Sequence, residues 1–179
     1  ILTNAAGAII QSDPNPTSTG YHRFDGRLDN QGTLNINYNL RLYSTAAGSN
    51  NTGIINIATG KQLIVSAGVW NWNGGTALGS GQLTFENATG NFNTPTMPNW
   101  ESNFTSSTLG STQLPLTSAR VINLNSNNTI TAAIFNTDTI KIHSVNNSMS
   151  GALTTATTSV LLFDGLSNHS IFTISAGFT

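Results

Sequence analysis

Residues 30–36 read Asn-Gln-Gly-Thr-Leu-Asn-Ile, and residues 51–57 read Asn-Thr-Gly-Ile-Ile-Asn-Ile. Both follow the pattern Asn-x-Gly-x-apolar-Asn-Ile, and they lie 21 residues apart. Residues 81–85, 28 positions further on, repeat the Gly-x-apolar-x-apolar part, and residues 90–93 form a shorter copy. Such periods are typical of solenoids, because one short strand and its turn cannot bury an apolar face until a neighbouring copy stacks on it.

Around this repeat, apolar side chains alternate with polar ones over residues 34–42. This period of two predicts a half-buried strand, and three Asn residues would interrupt every face of a helix. We expect one set of side chains to face the core: Leu34, Ile36, Tyr38, Leu40 and Leu42. Asn35, Asn37 and Asn39 should face outwards or form ladders with neighbouring strands. Shorter runs of the same kind follow along the chain, separated by Gly, Asn, Ser and Thr.

The composition favours an extracellular all-β protein. Asn, Thr, Ser and Gly make up 86 of the 179 residues, only 7% of residues are charged, and there is no cysteine. The net charge of −1 provides no electrostatic attraction for nucleic acid. No apolar run approaches the length of about 20 residues that a membrane helix needs. We therefore expect neither a nucleic-acid partner nor membrane insertion.

These patterns predict a right-handed parallel β-helix, and the runner-up is an antiparallel β-sandwich of the jelly-roll or pilin-like type. The uneven spacing of the copies favours the sandwich. We expect a repeat-bearing β unit at residues 1–94 and a second β unit at residues 119–179, within one domain. The interval 95–118 contains three prolines and a Ser/Thr run, and it is predicted to be a loop.

Three segments resemble the loose repeats of bacterial β-helical surface proteins, namely autotransporter passengers and adhesins of the filamentous-haemagglutinin type. They are residues 2–7, 28–36 and 53–63, so the resemblance covers roughly residues 1–94. It implies a right-handed β-helix, secretion to the cell surface and an adhesive or structural role. It assigns no catalytic or binding residue to this chain.

Residues 21–27 form the only dense cluster of ionisable side chains. Tyr21, His22, Arg23 and Asp25 are candidates for contact with a glycan, a carboxylate or a partner, but the sequence favours a solvated turn at Asp25-Gly26, because no other segment supplies a matching partner. A second candidate is the pair Trp70 and Trp72, which alternate with Asn and so share one face of a strand. Exposed, they would make a stacking platform for sugar rings; buried, they would be core residues.

The sequence indicates no catalytic residues, no metal site and no cofactor. The three histidines lie far apart, and neither an activated nucleophile nor a phosphate-binding loop is visible. The chain ends, in contrast, are apolar. The residues expected to lie in strands that mediate assembly are Ile1, Leu2, Ile171, Phe172, Ile174 and Phe178.

Three functions remain open at this point. The first is a non-catalytic structural or adhesive module at the cell surface, as a segment or subunit of a fibre. The second is a self-assembling β-sandwich subunit of a filament, pilus or virion, joined by exchange of terminal strands. The third is a carbohydrate-binding or carbohydrate-active β-helix. The expected partners are further copies of the chain or flanking repeats, and a surface glycan in the third case.

Overall fold

The computed structural model describes residues 1–15, 20–44, 48–94, 96–111, 116–118, 120–132, 134–136, 138–143, 146–151, 153–156, 159–164 and 172–174. These residues form short strands and contain no helix. In chain order the strands are β1 (Leu2–Asn4), β2 (Ile9–Ser12), β3 (His22–Asp25), β4 (Leu28–Asn30), β5 (Thr33–Ile36), β6 (Leu40–Tyr43), β7 (Ser49–Asn51), β8 (Ile54–Ile57), β9 (Gln62–Ser66), β10 (Val69–Trp72), β11 (Thr76–Gly79), β12 (Gln82–Glu86), β13 (Thr89–Phe92), β14 (Glu101–Thr105), β15 (Thr108–Ser111), β16 (Leu116–Ser118), β17 (Ile122–Ser126), β18 (Thr129–Ile130), β19 (Ile134–Asn136), β20 (Thr139–His143), β21 (Asn147–Met149), β22 (Leu153–Thr155), β23 (Val160–Asp164) and β24 (Phe172–Ile174).

The strands stack as a parallel β-solenoid with three sides. The first side is a nine-stranded sheet in the order β1-β4-β7-β10-β13-β15-β18-β21-β24. The second side consists of the sheets β2-β5-β8-β11 and β16-β19-β22, and the third is β3-β6-β9-β12-β14-β17-β20-β23. A rung is one strand from each side in succession, such as β4, β5 and β6. Every pair of strands in the described part of the chain is parallel, so the β-helix prediction is confirmed and the antiparallel sandwich is wrong.

The core is built of columns of like side chains, because in-register parallel pairing places equivalent residues above one another. On the third side, Leu42, Val65 and Phe85 follow in register, and each is almost fully buried. The Phe85 and Phe104 rings continue this column as a stacked pair with centroids 5.0 Å apart. Dispersion and apolar burial therefore act along the whole solenoid axis.

The predicted strand over residues 34–42 is in fact two strands joined by a corner. Leu34, Ile36, Leu40 and Leu42 face the core as predicted. Tyr38 does not, because residues 37–39 form the turn between β5 and β6. Its half-exposed ring lies 4.9 Å from the ring of His22. The corner was not visible in the sequence, because the alternation continues through the turn of three residues.

The third copy of the repeat also needs correction. Gly32 and Gly53 precede strands of the second side, and their equivalent in the next rung is Gly75. The predicted copy beginning at Gly81 belongs instead to the third side, where β12 pairs with β9. A Cβ atom at Gly53 would collide with the carbonyl oxygen of Gly32, and one at Gly75 with that of Gly53. This corner therefore requires glycine for its close approach.

The predicted loop at 95–118 contains β14, β15 and β16, so the stack continues through it. Only the second side changes here, because β11 ends one sheet and β16 begins the next. Between them Thr96 makes an isolated parallel bridge to Thr117. Trp100 is buried, and its indole Nε1 donates to the carbonyl oxygen of Leu78 at 2.9 Å. Pro98, which has no N–H to donate, lies in this irregular segment.

Buried asparagines support the corner between the first and second sides. The side chains of Asn4, Asn30 and Asn51 form a ladder, with each Nδ2 donating to the next Oδ1 at 2.7 Å. Asn30 is 1% exposed and also donates to the Ile54 carbonyl oxygen at 3.1 Å. The ladder satisfies amides that would be costly to bury alone.

Replacing Ile36 with Asp should destabilise the solenoid by about 4 kcal/mol, because it places an unpaired charge in the core. Asn35→Asp, on the outer face of the same strand, is the matched control and should cost far less. Urea unfolding followed by circular dichroism measures both. Equal stability of the two variants would contradict the assignment of faces in β5.

Replacing Asn30 with Ala should cost about 2–3 kcal/mol, since it removes three side-chain hydrogen bonds, and one of these losses leaves the buried amide of Asn4 without its side-chain acceptor. Asn71→Ala, in a half-buried ladder on the outer face, should cost about 1 kcal/mol or less. Thermal unfolding compares the two. A larger loss for Asn71→Ala would show that the buried ladder does not stabilise the corner.

Candidate functional site

The N-terminal edge of the solenoid, formed by β1, β2 and β3, is apolar and open. In the described part of the chain no strand pairs with the outer side of these three strands. Ile1, Leu2 and Ile9 are 84%, 41% and 65% exposed. Beside them a hollow of about 170 Å³ opens onto core residues of the next rung, and Leu28, Leu34, Leu40 and Leu42 contribute to its lining.

The other end of the stack is also apolar. Val160, Leu162 and Phe163 of β23 are 50%, 40% and 47% exposed. With Ile1, Leu2, Ile9 and Tyr21, they make up seven of the nine large hydrophobic residues that are exposed in the described part of the chain. Among the described residues, exposed apolar side chains are thus concentrated at the two ends of the solenoid, and Ile54 and Leu78 are the two that lie between the ends.

The predicted assembly residues are described to different extents. Ile1 and Leu2 lie at the N-terminal edge. Phe172 and Ile174 belong to β24, whose backbone pairs in register with β21. Ile171 and Phe178 lie outside the described residues.

The predicted cluster at residues 21–27 is divided between two faces of the third side. Arg23 and Asp25 point outwards and form an ion pair of 2.6 Å, which is largely exposed. His22 is half-buried, and its Nδ1 lies 3.1 Å from the hydroxyl oxygen of Ser12. That hydroxyl also lies 2.9 Å from the Tyr38 carbonyl oxygen, which competes with the imidazole for its one hydrogen. Because of this competition the geometry gives no specific support for Ser12 as an activated nucleophile.

On the outer face of the third side, residues of the 21–27 cluster contact residues that the sequence analysis did not identify. The guanidinium carbon of Arg23 lies 4.5 Å from the ring centroid of Tyr43, and that of Arg41 lies 4.4 Å from that of Tyr21. The Nζ of Lys61 lies 5.7 Å from the Tyr38 ring. We call these six residues the tyrosine–cation face. It contains all three tyrosines of the chain.

Arg41 is held firmly within this face. Its Nη1 donates to the Ser66 hydroxyl at 2.6 Å and to Glu86 Oε2 at 2.7 Å. The ion pair spans two further rungs, because Glu86 lies in β12 and Arg41 in β6. Because both side chains are partly buried, this ion pair is expected to stabilise the fold more than a fully exposed pair would. The cation–π contact with Tyr21 further restricts the Arg41 side chain.

Trp70 and Trp72 are not a sugar-binding platform. Their side chains do share one face of β10 as predicted, but they are 0% and 3% exposed and belong to the core. The Trp72 ring packs edge-on against Trp100, with centroids 5.8 Å apart. Because the solenoid buries one face of every strand, the large rings fill its interior.

A second ladder of amides covers the outer face of the first side. Asn91 donates to Asn71, and Asn71 donates to Asn50, each through Nδ2 to Oδ1 at 3.0 Å. The row ends at Asp29, which accepts from Asn50 at 2.8 Å and pairs with Arg27 at 2.9 Å. Partial burial raises the pKa of Asp29, but the hydrogen bonds from Asn50 and Arg27 outweigh it, so the net pKa lies below the ordinary value.

This lowered pKa predicts how stability changes with pH. The Asp29 carboxylate contributes stability above the ordinary pKa of about 4, and the contribution is lost as the pH falls through the lower folded-state value. Asp29→Asn should therefore lower the melting temperature at pH 7 and have progressively less effect as the pH falls below about 4. A constant difference between the two proteins from pH 7 to pH 2.5 would contradict this account.

In the described residues, no group of three or more His, Cys, Asp or Glu side chains is placed to hold a metal ion. The same part of the chain contains no helix with the length and apolarity needed to cross a bilayer.

Comparisons of this chain with protein-family models, with curated proteins and with solved structures found no match.

Proposed function

We propose that this chain is a non-catalytic structural and adhesive module of an extracellular fibre, in which further parallel rungs stack on its ends. The observation that carries the proposal is the position of the exposed apolar residues. Seven of the nine lie in the first and last rungs, where the terminal strands have no outer partner among the described residues, and only Ile54 and Leu78 lie on the outer faces between them. Open edges of this kind are templates for pairing with another strand.

Stacking on these ends would produce a fibre with two different ends, in which all copies point in the same direction. The first and last rungs differ in sequence, so contact between them is heterologous, and such contacts propagate without closing a ring. A second copy placed end to end would continue the same parallel ladders and cover the hollow beside Leu2. The low charge of the chain also gives little repulsion between copies.

The proposed location and role rest on composition and on the repeat. A surface rich in Asn, Thr and Ser, the absence of cysteine and the resemblance of residues 1–94 to bacterial β-helical surface repeats support a secreted fibre component. The terminal strand exchange considered for a β-sandwich loses its basis, because the fold is a solenoid. The carbohydrate-active alternative is not favoured by the Ser12–His22 geometry.

End-to-end assembly should be visible by sedimentation velocity over a range of concentrations. Wild-type chain should form larger species as its concentration rises, whereas the double variant Leu2→Lys, Ile9→Lys should remain monomeric, because charge at the edge opposes stacking. Ile54→Lys is the matched control, since Ile54 is 36% exposed in the middle of the stack.

Two results would contradict the proposal. One is a wild-type chain that stays monomeric at high concentration while hydrogen exchange shows an ordered first rung. The other is assembly that is lost in Ile54→Lys and kept in the double variant, which would place the contact on the second side and not at the ends.

A further inference from the structure

The tyrosine–cation face has the features of a ligand-binding surface, and we propose that it binds an acidic saccharide chain through carboxylate groups and sugar rings. The inference relies on the proposed function only for the extracellular setting, since the face is formed by outward-facing side chains of the third side and shares only Tyr21 and strand β3 with the N-terminal end. Its members come from two neighbouring strands, β3 and β6, and from the turns that precede β3, β6 and β9.

Cations outnumber carboxylates on this face. Arg23 pairs with Asp25 and Arg41 with Glu86. Lys61 has no carboxylate partner among the described residues. A local excess of positive charge in a chain of net charge −1 favours an anionic ligand at this place.

The arginines are positioned before any ligand arrives. Arg41 is fixed by Ser66 and Glu86, and Arg23 meets Asp25 only through its Nε. The two terminal amino groups of Arg23 make no hydrogen bond to the described residues, and its side chain is 49% exposed. A planar guanidinium held in this way presents paired donors that match the geometry of a carboxylate.

Tyrosine supplies the second element of the surface. Tyr21 is 44% exposed, and its ring offers an apolar face and a hydroxyl at one site. Such amphipathic rings suit ligands that are apolar on one face and polar at the rim, as sugar rings are. Neighbouring rungs are about 4.8 Å apart, which is comparable to the length of one sugar unit. A saccharide lying along the solenoid axis could therefore meet Arg23 in β3 and Tyr43 in β6 with consecutive units.

A nucleic acid is a less suitable ligand for this face. Binding a phosphate backbone depends on neutralising many phosphates with Lys and Arg, and here only three cations are gathered, two of them already paired. An acidic saccharide carries few carboxylates, which suits the small number of cations on this face. Its sugar rings suit contact with the tyrosines.

The test is calorimetric titration of the whole chain with a short oligouronate, and with the neutral oligosaccharide that carries hydroxymethyl groups in place of its carboxylates. We expect the oligouronate to bind and the neutral oligosaccharide to bind at least tenfold more weakly. Arg23→Gln and Tyr43→Ala should each weaken oligouronate binding about tenfold, the loss expected when a charge-assisted contact or a ring contact is removed.

Lys141→Gln is the matched control, because Lys141 lies on the outer face of the same sheet in β20, away from the tyrosines. It should bind as the wild type does, and the melting temperature of each variant checks that it is folded. The double variant Leu2→Lys, Ile9→Lys should also bind normally, so a failure of assembly and a failure of ligand binding are distinguishable.

Three outcomes would overturn the inference. They are the absence of oligouronate binding, equal binding of the neutral oligosaccharide, and a loss of affinity in Lys141→Gln as large as in Arg23→Gln. Tighter binding of a single-stranded oligonucleotide than of the oligouronate would show a polyanion surface and would also reject the saccharide.

Discussion

The backbone hydrogen bonds that join each strand to its equivalent in the next rung hold this chain in one register. The described pairs are parallel and, apart from one shift between β14 and β17 after Phe104, in register, so each side chain lies beside the residue at the same position of the neighbouring rung. Columns such as Leu42, Val65 and Phe85 bury apolar surface, and ladders such as Asn4, Asn30 and Asn51 satisfy buried amides. A shift of one residue would turn the apolar columns outwards and break the amide ladders together, so packing and hydrogen bonding select the same register.

The fold class followed from the sequence because its determinants are local and periodic. The alternation around Leu34 and the Asn-x-Gly repeat are both visible in the printed chain, and the structure confirms the stacked parallel strands and the buried positions of Leu34, Ile36, Leu40 and Leu42. The corner at Tyr38 was invisible because a turn of three residues preserves a period of two. Gly81 was misplaced because glycine recurs at more than one corner, and only the pairing of β12 with β9 shows which corner it follows. The strands after Thr94 were missed and the segment was predicted to be a loop. Trp100 and Phe104 are buried there by rungs that are distant in sequence, so the local pattern does not show their burial.

The candidate site was predictable only in part, for the same reason. Tyr21, Arg23 and Asp25 were identified as a cluster, but Tyr43 and Arg41 join them through strand pairing, and Glu86 lies 45 residues beyond Arg41. The sequence also allowed both interpretations of Trp70 and Trp72. A period of two indicates that the two side chains share a face of the strand, but it does not indicate which face is buried. The inner face of β10 takes them because the solenoid interior is the only place where large rings are covered on all sides.

The departures from the repeat indicate where a solenoid of this kind can acquire a function. Along most of its length the outer rows consist of amides and hydroxyls that bond to their own neighbours, such as Asn50, Asn71 and Asn91. These ladders use the donors and acceptors that a ligand would need, so they stabilise the stack and offer little for recognition. On the tyrosine–cation face the row changes character within two rungs, and the amino groups of Arg23 make no hydrogen bond to the residues that the structure describes. Because neighbouring rungs fix the backbone on both sides of β6, substitutions at Tyr43 or Arg23 can alter the chemistry of the outer surface without changing the register that holds the core.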